Sequence, residues 1–146
     1  MNLSAHFTLD ELTASDTAAR RGIDNTPSPQ IVENLRRVAV RLEQIRALQD
    51  RPIVVTSGYR CPELNRAVGG ASSSAHMQGL AADINMPPLT PFEFGQLIIG
   101  AGIEFDQLIH EFGRWVHVGL APAGMTPRRQ VLTIRTGTGY LPGWLK

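Results

Sequence analysis

A histidine and an aspartate seven residues apart, His76 and Asp83, constrain this chain more than any other feature. They lie in a small, polar, Gly-punctuated stretch, SSSAHMQGLAADIN, at residues 72–85. Unprotonated, both are good zinc ligands, and one zinc would have to reach both at about 2 Å. On a single helix, residues seven apart share a face but stand roughly 10 Å apart along the axis. On one straight strand, an odd separation sends them to opposite faces. The chain must therefore turn between them. Gly79-Leu80 offers that turn, because Gly suits the first central position of a type II′ hairpin. Pairing would then run Gln78 with Ala81, Met77 with Ala82 and His76 with Asp83, with both ligands on one face. The alternative is a polar loop in which the two side chains bond to each other or to nearby backbone.

Three further features bear on that choice. SGYR stands upstream at residues 57–60, His117 sits inside the apolar run WVHVGL, and Glu111 comes just before that run. With His76, Asp83 and His117 as protein ligands, a zinc would keep an open fourth position for water, the arrangement of a catalytic site.

The order SGYR, then SxHxxGxAxD at residues 74–83, then WVHV resembles the zinc D-Ala-D-Ala carboxypeptidase and endolysin family, the M15 peptidases. The resemblance runs from the opening LSAHFTLDEL through His117. It implies an α+β fold of the Hedgehog/DD-peptidase type, with a small antiparallel sheet carrying zinc and helices packed on one side. It implies a Zn2+ cofactor and, as partner, the stem peptide of peptidoglycan. In the family the Arg of SGYR binds a substrate carboxylate, a role carried onto Arg60; a planar guanidinium suits it because it can bind through two parallel hydrogen bonds. Ser74 is expected to bond backbone or substrate in the metal loop.

The acid/base residue is less direct. Many relatives place it three positions before the last His ligand, which here is Arg114, and arginine cannot act as a base. Glu111 and His110 remain. A two-residue hairpin at Gly113-Arg114 would pair His110 with His117 and favour His110. A longer or bulged turn shifts the register by one and brings Glu111 to the metal side. The family resemblance favours Glu111, which is taken as the acid/base. The activity so implied is a peptidoglycan peptidase, in the form of a phage or prophage lytic endopeptidase. A D-Ala-D-Ala carboxypeptidase and a non-catalytic zinc-binding virion or structural module are the alternatives.

The remaining composition mostly excludes. The 146 residues suit one domain, expected over 1–146 and as a monomer. A net charge of +1 without a Lys/Arg block argues against nucleic acid. No stretch approaches the roughly 20 apolar residues of a membrane span, so no membrane insertion is expected. The opening MNLSAHFTLDELTASDTAARRG has no apolar core, so the expectation is cytoplasmic synthesis without a secretory leader and release to the wall by another route. Cys61 is alone and reads as structural. His6 reads as a surface or capping residue.

Along the chain, Thr8 with Glu11 forms a capping box for one short helix, which Ser15-Asp16 and Gly22 interrupt. Ser28 and Pro29 open the main helix over 30–48, whose apolar stripe runs Ile31, Leu35, Val38, Leu42, Ile45, Leu48. A strand is expected over 53–59, a short helix over 62–68 and a strand over 81–85. Thr90, Pro91 and Glu93 start a helix over 92–99. Strands over 103–112 and 115–120 form a hairpin, and 131–135 a last strand. The tail TGTGYLPGWLK is expected to pack on the domain surface, with lining of the cleft or glycan binding as the alternative.

Overall fold

The computed structural model describes residues 1–146. Helices α1 (Leu9–Thr13), α2 (Asp16–Arg21) and α3 (Pro29–Ala47) precede strand β1 (Val54–Ser57). Helix α4 (Pro62–Ala67), a 3₁₀ turn (Ala75–Gln78), β2 (Ala81–Asn85) and α5 (Pro91–Gly100) follow. Strands β3 (Gln107–Glu111), β4 (Trp115–Gly119), β5 (Gln130–Ile134) and β6 (Leu141–Pro142) complete the chain. The six strands form one sheet in the order β1-β2-β4-β3-β5-β6. All neighbours are antiparallel except β3 and β5. The fold is α+β, as expected. No helix is long and apolar enough to cross a membrane.

Local chemistry sets most helix starts. Thr8–Glu11 and Thr90–Glu93 are complete capping boxes, each hydroxyl accepting from a backbone N–H that the first turn leaves without a partner. Ser28 caps α3 with Pro29 behind it. Helix α3 then buries Leu35, Val38, Leu42 and Ile45, and α5 buries Phe94 and Ile98. Both contribute to a core cluster shared with Ala82, Ile84, Leu108, Val116 and Val118 of the sheet. Those sheet residues alternate with Asp83, Ile109, Glu111, Trp115 and His117, which therefore point from the opposite face. One face of the sheet makes the core; the other is left for a site.

Three expectations are corrected. His76 is not on a hairpin arm paired with Asp83: it lies in the 3₁₀ turn, and Asp83 lies in β2. Strand β2 pairs with β1 on one side and β4 on the other, so neither edge is open to residues 76–78. Gly79 still makes the turn, but as the left-handed cap of the 3₁₀ segment at φ 70°. Ser15, read as an interruption, caps α2 by accepting from Ala18 N–H. The tail adds β6 to the sheet rather than only lying on it.

Candidate metal centre

His76, Asp83 and His117 come together from three elements. Strands β2 and β4 pair Asp83 directly with His117. The 3₁₀ turn delivers His76 from the side, capped by Ser74, whose hydroxyl accepts from His76 N–H at 3.2 Å. The His76 Nε2–Asp83 Oδ1 distance is 3.3 Å and the His117 Nδ1–Asp83 Oδ1 distance 3.1 Å. One donor atom from each residue falls within a 4.8 Å group. Tetrahedral ligands about 2.1 Å from zinc stand about 3.4 Å apart, so the spacing fits. All three side chains are at most 8% exposed.

The donor chemistry fits as well. His76 Nδ1 lies 2.7 Å from the carbonyl of Gly58. A carbonyl only accepts, so Nδ1 carries the proton and Nε2 faces the site with its lone pair. Burial by itself would raise the Asp83 carboxyl, but His76 and His117 override it and hold Asp83 well below the usual carboxylate range. The centre thus presents two imidazoles and one anion.

Gly58 also explains the SGYR turn. An added Cβ there would overlap the carbonyl oxygen of Leu12 and stand 2.8 Å from its carbon. That carbonyl accepts from Tyr59 N–H at 2.7 Å, which ties α1 to the turn. Asn25 bonds the carbonyls of Thr13 and Tyr59 and accepts from Cys61 N–H. Arg60 N–H donates to the carbonyl of His76. The turn and the metal loop are one hydrogen-bonded unit.

Arg60 lies at one end of a cleft of about 980 Å³ that also contains the three ligands, Ser74 and Glu111. Its Nη2 reaches Ser74 Oγ at 3.4 Å, while Nε is buried without a partner in the chain. Buried polar groups are nearly always paired, so this N–H is an unmatched donor; burial lowers the Arg60 pKa, and the charges of Asp83 and Glu111 oppose that lowering.

The register decides between Glu111 and His110 as neighbours of the metal. Strands β3 and β4 pair Glu111 with Trp115, His110 with Val116 and Ile109 with His117. The turn takes positive φ at both Phe112 (57°) and Gly113 (64°), so Arg114 falls outside the pairing. This is the register shifted by one from the two-residue hairpin. Glu111 therefore shares the face of His117, with Oε2 3.9 Å from His117 Nδ1. Its other oxygen, Oε1, accepts from Trp115 Nε1 at 2.9 Å. Burial raises the Glu111 carboxyl above its ordinary value; His117, Trp115 and Arg60 pull it down less than burial and Asp83 push it up. His110 points into the core side, where Nδ1 donates to the carbonyl of Leu145 at 2.8 Å. Arg114 is exposed on the turn: its N–H donates to the Glu111 carbonyl and its own carbonyl accepts from Asn85 Nδ2.

Residues outside the site behave as read from the sequence. Cys61 caps α4, its sulfur accepting from Leu64 N–H. His6 pairs with Glu43 at 2.7 Å on the surface. Two further residues contribute to the site. Trp115 was readable, being two residues from His117 on a strand and so on its face. Tyr140 also lines the cleft, the alternative held open for the tail, and the pairing of β6 is what places it there.

Comparison with known proteins agrees with this geometry. A family model described as peptidase M15 matches residues 5–119. The zinc D-Ala-D-Ala carboxypeptidase of Streptomyces albus G is 53% identical to this chain over 38 residues. That stretch is 26% of this chain and 15% of the Streptomyces protein, so the likeness spans a small part of that relative.

Proposed function

The chain belongs to the peptidase M15 family, and we propose that it is a zinc-dependent hydrolase of amide bonds in peptidoglycan stem peptides or their cross-links. The observation that carries this reading is the placement of Glu111 on the same sheet face as the His76–Asp83–His117 cluster, 3.9 Å from His117. His76, Asp83 and His117 would hold the zinc, which would supply Lewis-acid activation of water and of the scissile carbonyl. The chain's own residues supply the rest. Glu111, held by Trp115 and raised by burial, takes the proton of the attacking water at its carboxylate and returns it to the leaving amine. Arg60 lines the cleft and binds a substrate carboxylate through its guanidinium. Ser74 orients both Arg60 and His76.

A cleft that continues past the metal on both sides, to Arg60 and to Tyr140, supports an endopeptidase, and the family resemblance suggests a lytic enzyme of phage or prophage type. The Streptomyces relative is named a D-Ala-D-Ala carboxypeptidase, which favours trimming of terminal D-alanine as the second reading. Mass spectrometry of muropeptide products separates them: endopeptidase action opens cross-links or releases stems, whereas trimming removes one alanine. The test of the catalytic assignment is Glu111→Gln beside His110→Gln, with zinc content measured in each. Glu111→Gln is expected to keep zinc and lose about 10²- to 10⁴-fold in kcat. Should His110→Gln be the inactive zinc-loaded variant instead, the assignment fails.

A further inference from the structure

The segment after β5 is built into the cleft. Strand β6 pairs with β5 as Thr133 with Leu141 and Leu132 with Pro142. Carried one residue on, this register sets Tyr140 opposite Ile134, and Ile134 is itself the partner of Glu111 across β3 and β5. Tyr140 thus belongs to the face that carries Glu111 and His117, and it lines the cleft together with Leu132 and Ile134. The residue is 56% exposed, and its phenol is raised by the burial it has and then by the charges of Glu111 and Asp83.

The segment is firmly held. Trp144 Nε1 donates to the carbonyl of Phe92 at 2.9 Å, and its indole occupies the space where a side chain on Gly95 would stand. On the core side, buried His110 stacks on Trp144 with centroids 5.1 Å apart and bonds the carbonyl of Leu145. Thr133 accepts from Leu145 N–H and donates to the carbonyl of Gly143. These anchors fix the residues on either side of the turn that presents Tyr140. All of β5, β6 and Tyr140 lie beyond residue 119, where the family match stops.

The sheet order puts Arg60, which follows β1, at one end and Tyr140, which precedes β6, at the other, with the metal ligands between. Neighbouring strands are about 4.8 Å apart, so Tyr140 stands roughly 14 Å from the β4 column of His117 at backbone level. An extended peptide advances about 3.4 Å per residue, so that distance is about four residues, and fewer by the reach of a tyrosine side chain. The wall there carries Leu132 and Ile134 beside Tyr140.

We propose that Tyr140 forms a distal specificity subsite, its ring contacting the uncharged part of the substrate roughly two to four residues from the cut bond, on the side away from the carboxylate held by Arg60. This rests on the peptidoglycan reading above. Binding energy gathered at such a distance helps to hold the reacting amide in place.

The test measures calorimetric binding of a cross-linked muropeptide dimer to zinc-loaded Glu111→Gln protein, with and without Tyr140→Ala. Two shortened fragments, each cut back on one side of the scissile bond, are compared. Tyr140→Ala is expected to weaken dimer binding about tenfold, the worth of one good apolar contact. It is also expected to abolish the loss that one shortened fragment shows with Tyr140 present. Dimer binding that is unchanged by Tyr140→Ala, or equal sensitivity to shortening in both proteins, overturns the subsite while leaving the peptidase reading intact. No dimer binding to the Tyr140-containing protein overturns the substrate reading and the subsite with it.

Discussion

One methyl group at Gly58, on a residue that bonds no metal, should disturb the metal centre. Gly58→Ala places a Cβ onto the Leu12 carbonyl, 2.8 Å from its carbon, where ordinary contact begins near 3.4 Å. Both sides of the clash are backbone, so no side chain can swing away. The turn must move from α1 by about 1 Å, more than the 2.7 Å Tyr59 N–H to Leu12 O bond tolerates before it breaks. Losing a buried bond and leaving its carbonyl unpaired costs about 1–3 kcal/mol. Strained packing of Leu12, which is fully buried, brings the total to about 2–4 kcal/mol. For a chain of this size that is a fall of about 10 °C in Tm. The same displacement carries the Gly58 carbonyl from His76 Nδ1, and loss of such an outer partner typically costs 10- to 100-fold in metal affinity. The assay is urea unfolding of the metal-free protein together with competitive zinc titration. Gly100→Ala is the control, because nothing lies within 4 Å of its added Cβ; it should be neutral or slightly stabilising. A Gly58→Ala protein with unchanged unfolding midpoint and unchanged zinc affinity would refute the reasoning.

Trp115→Phe removes the N–H that lowers the Glu111 carboxyl, so Glu111 moves further above its ordinary value. A base works only when deprotonated, so activity rises as pH climbs through that pKa; the acid limb of a kcat/KM profile should shift to higher pH, and an unmoved limb counts against the bond. Arg60→Lys keeps the charge but loses the planar fork; KM should rise about 10-fold or more with zinc content unchanged, read by steady-state kinetics beside metal analysis. Chelation should lower Tm by about 10 °C, since metal at a thousand times its Kd stabilises by about 4 kcal/mol. Adding zinc back should restore Tm in a differential scanning experiment.

Much of this protein is local in origin and legible in one dimension. Capping boxes at Thr8–Glu11 and Thr90–Glu93 and the Ser28-Pro29 start are satisfied by atoms three residues apart, so sequence spacing suffices to find them. The stripe of α3 follows from a period of 3.6 residues. The three candidate ligands were legible for a different reason, because their spacing and neighbours match a family pattern.

Register and edge occupancy were not legible, since both depend on which strands meet. His76 and Asp83 converge without being hairpin partners because β1 and β4 already hold both edges of β2. Glu111 rather than His110 reaches the metal face because Phe112 and Gly113 both take positive φ, and a shift of one residue in a strand exchanges its two faces. Tyr140 enters the cleft through a two-residue strand paired with β5, an element too short to show any periodicity. Residue types and local spacing thus mark side chains that could hold a metal, and the family pattern supplies the chemistry read onto them. Which side chains meet at the metal is set by long-range backbone pairing, whose hydrogen bonds run between residues far apart in the chain and leave no periodic trace in its sequence.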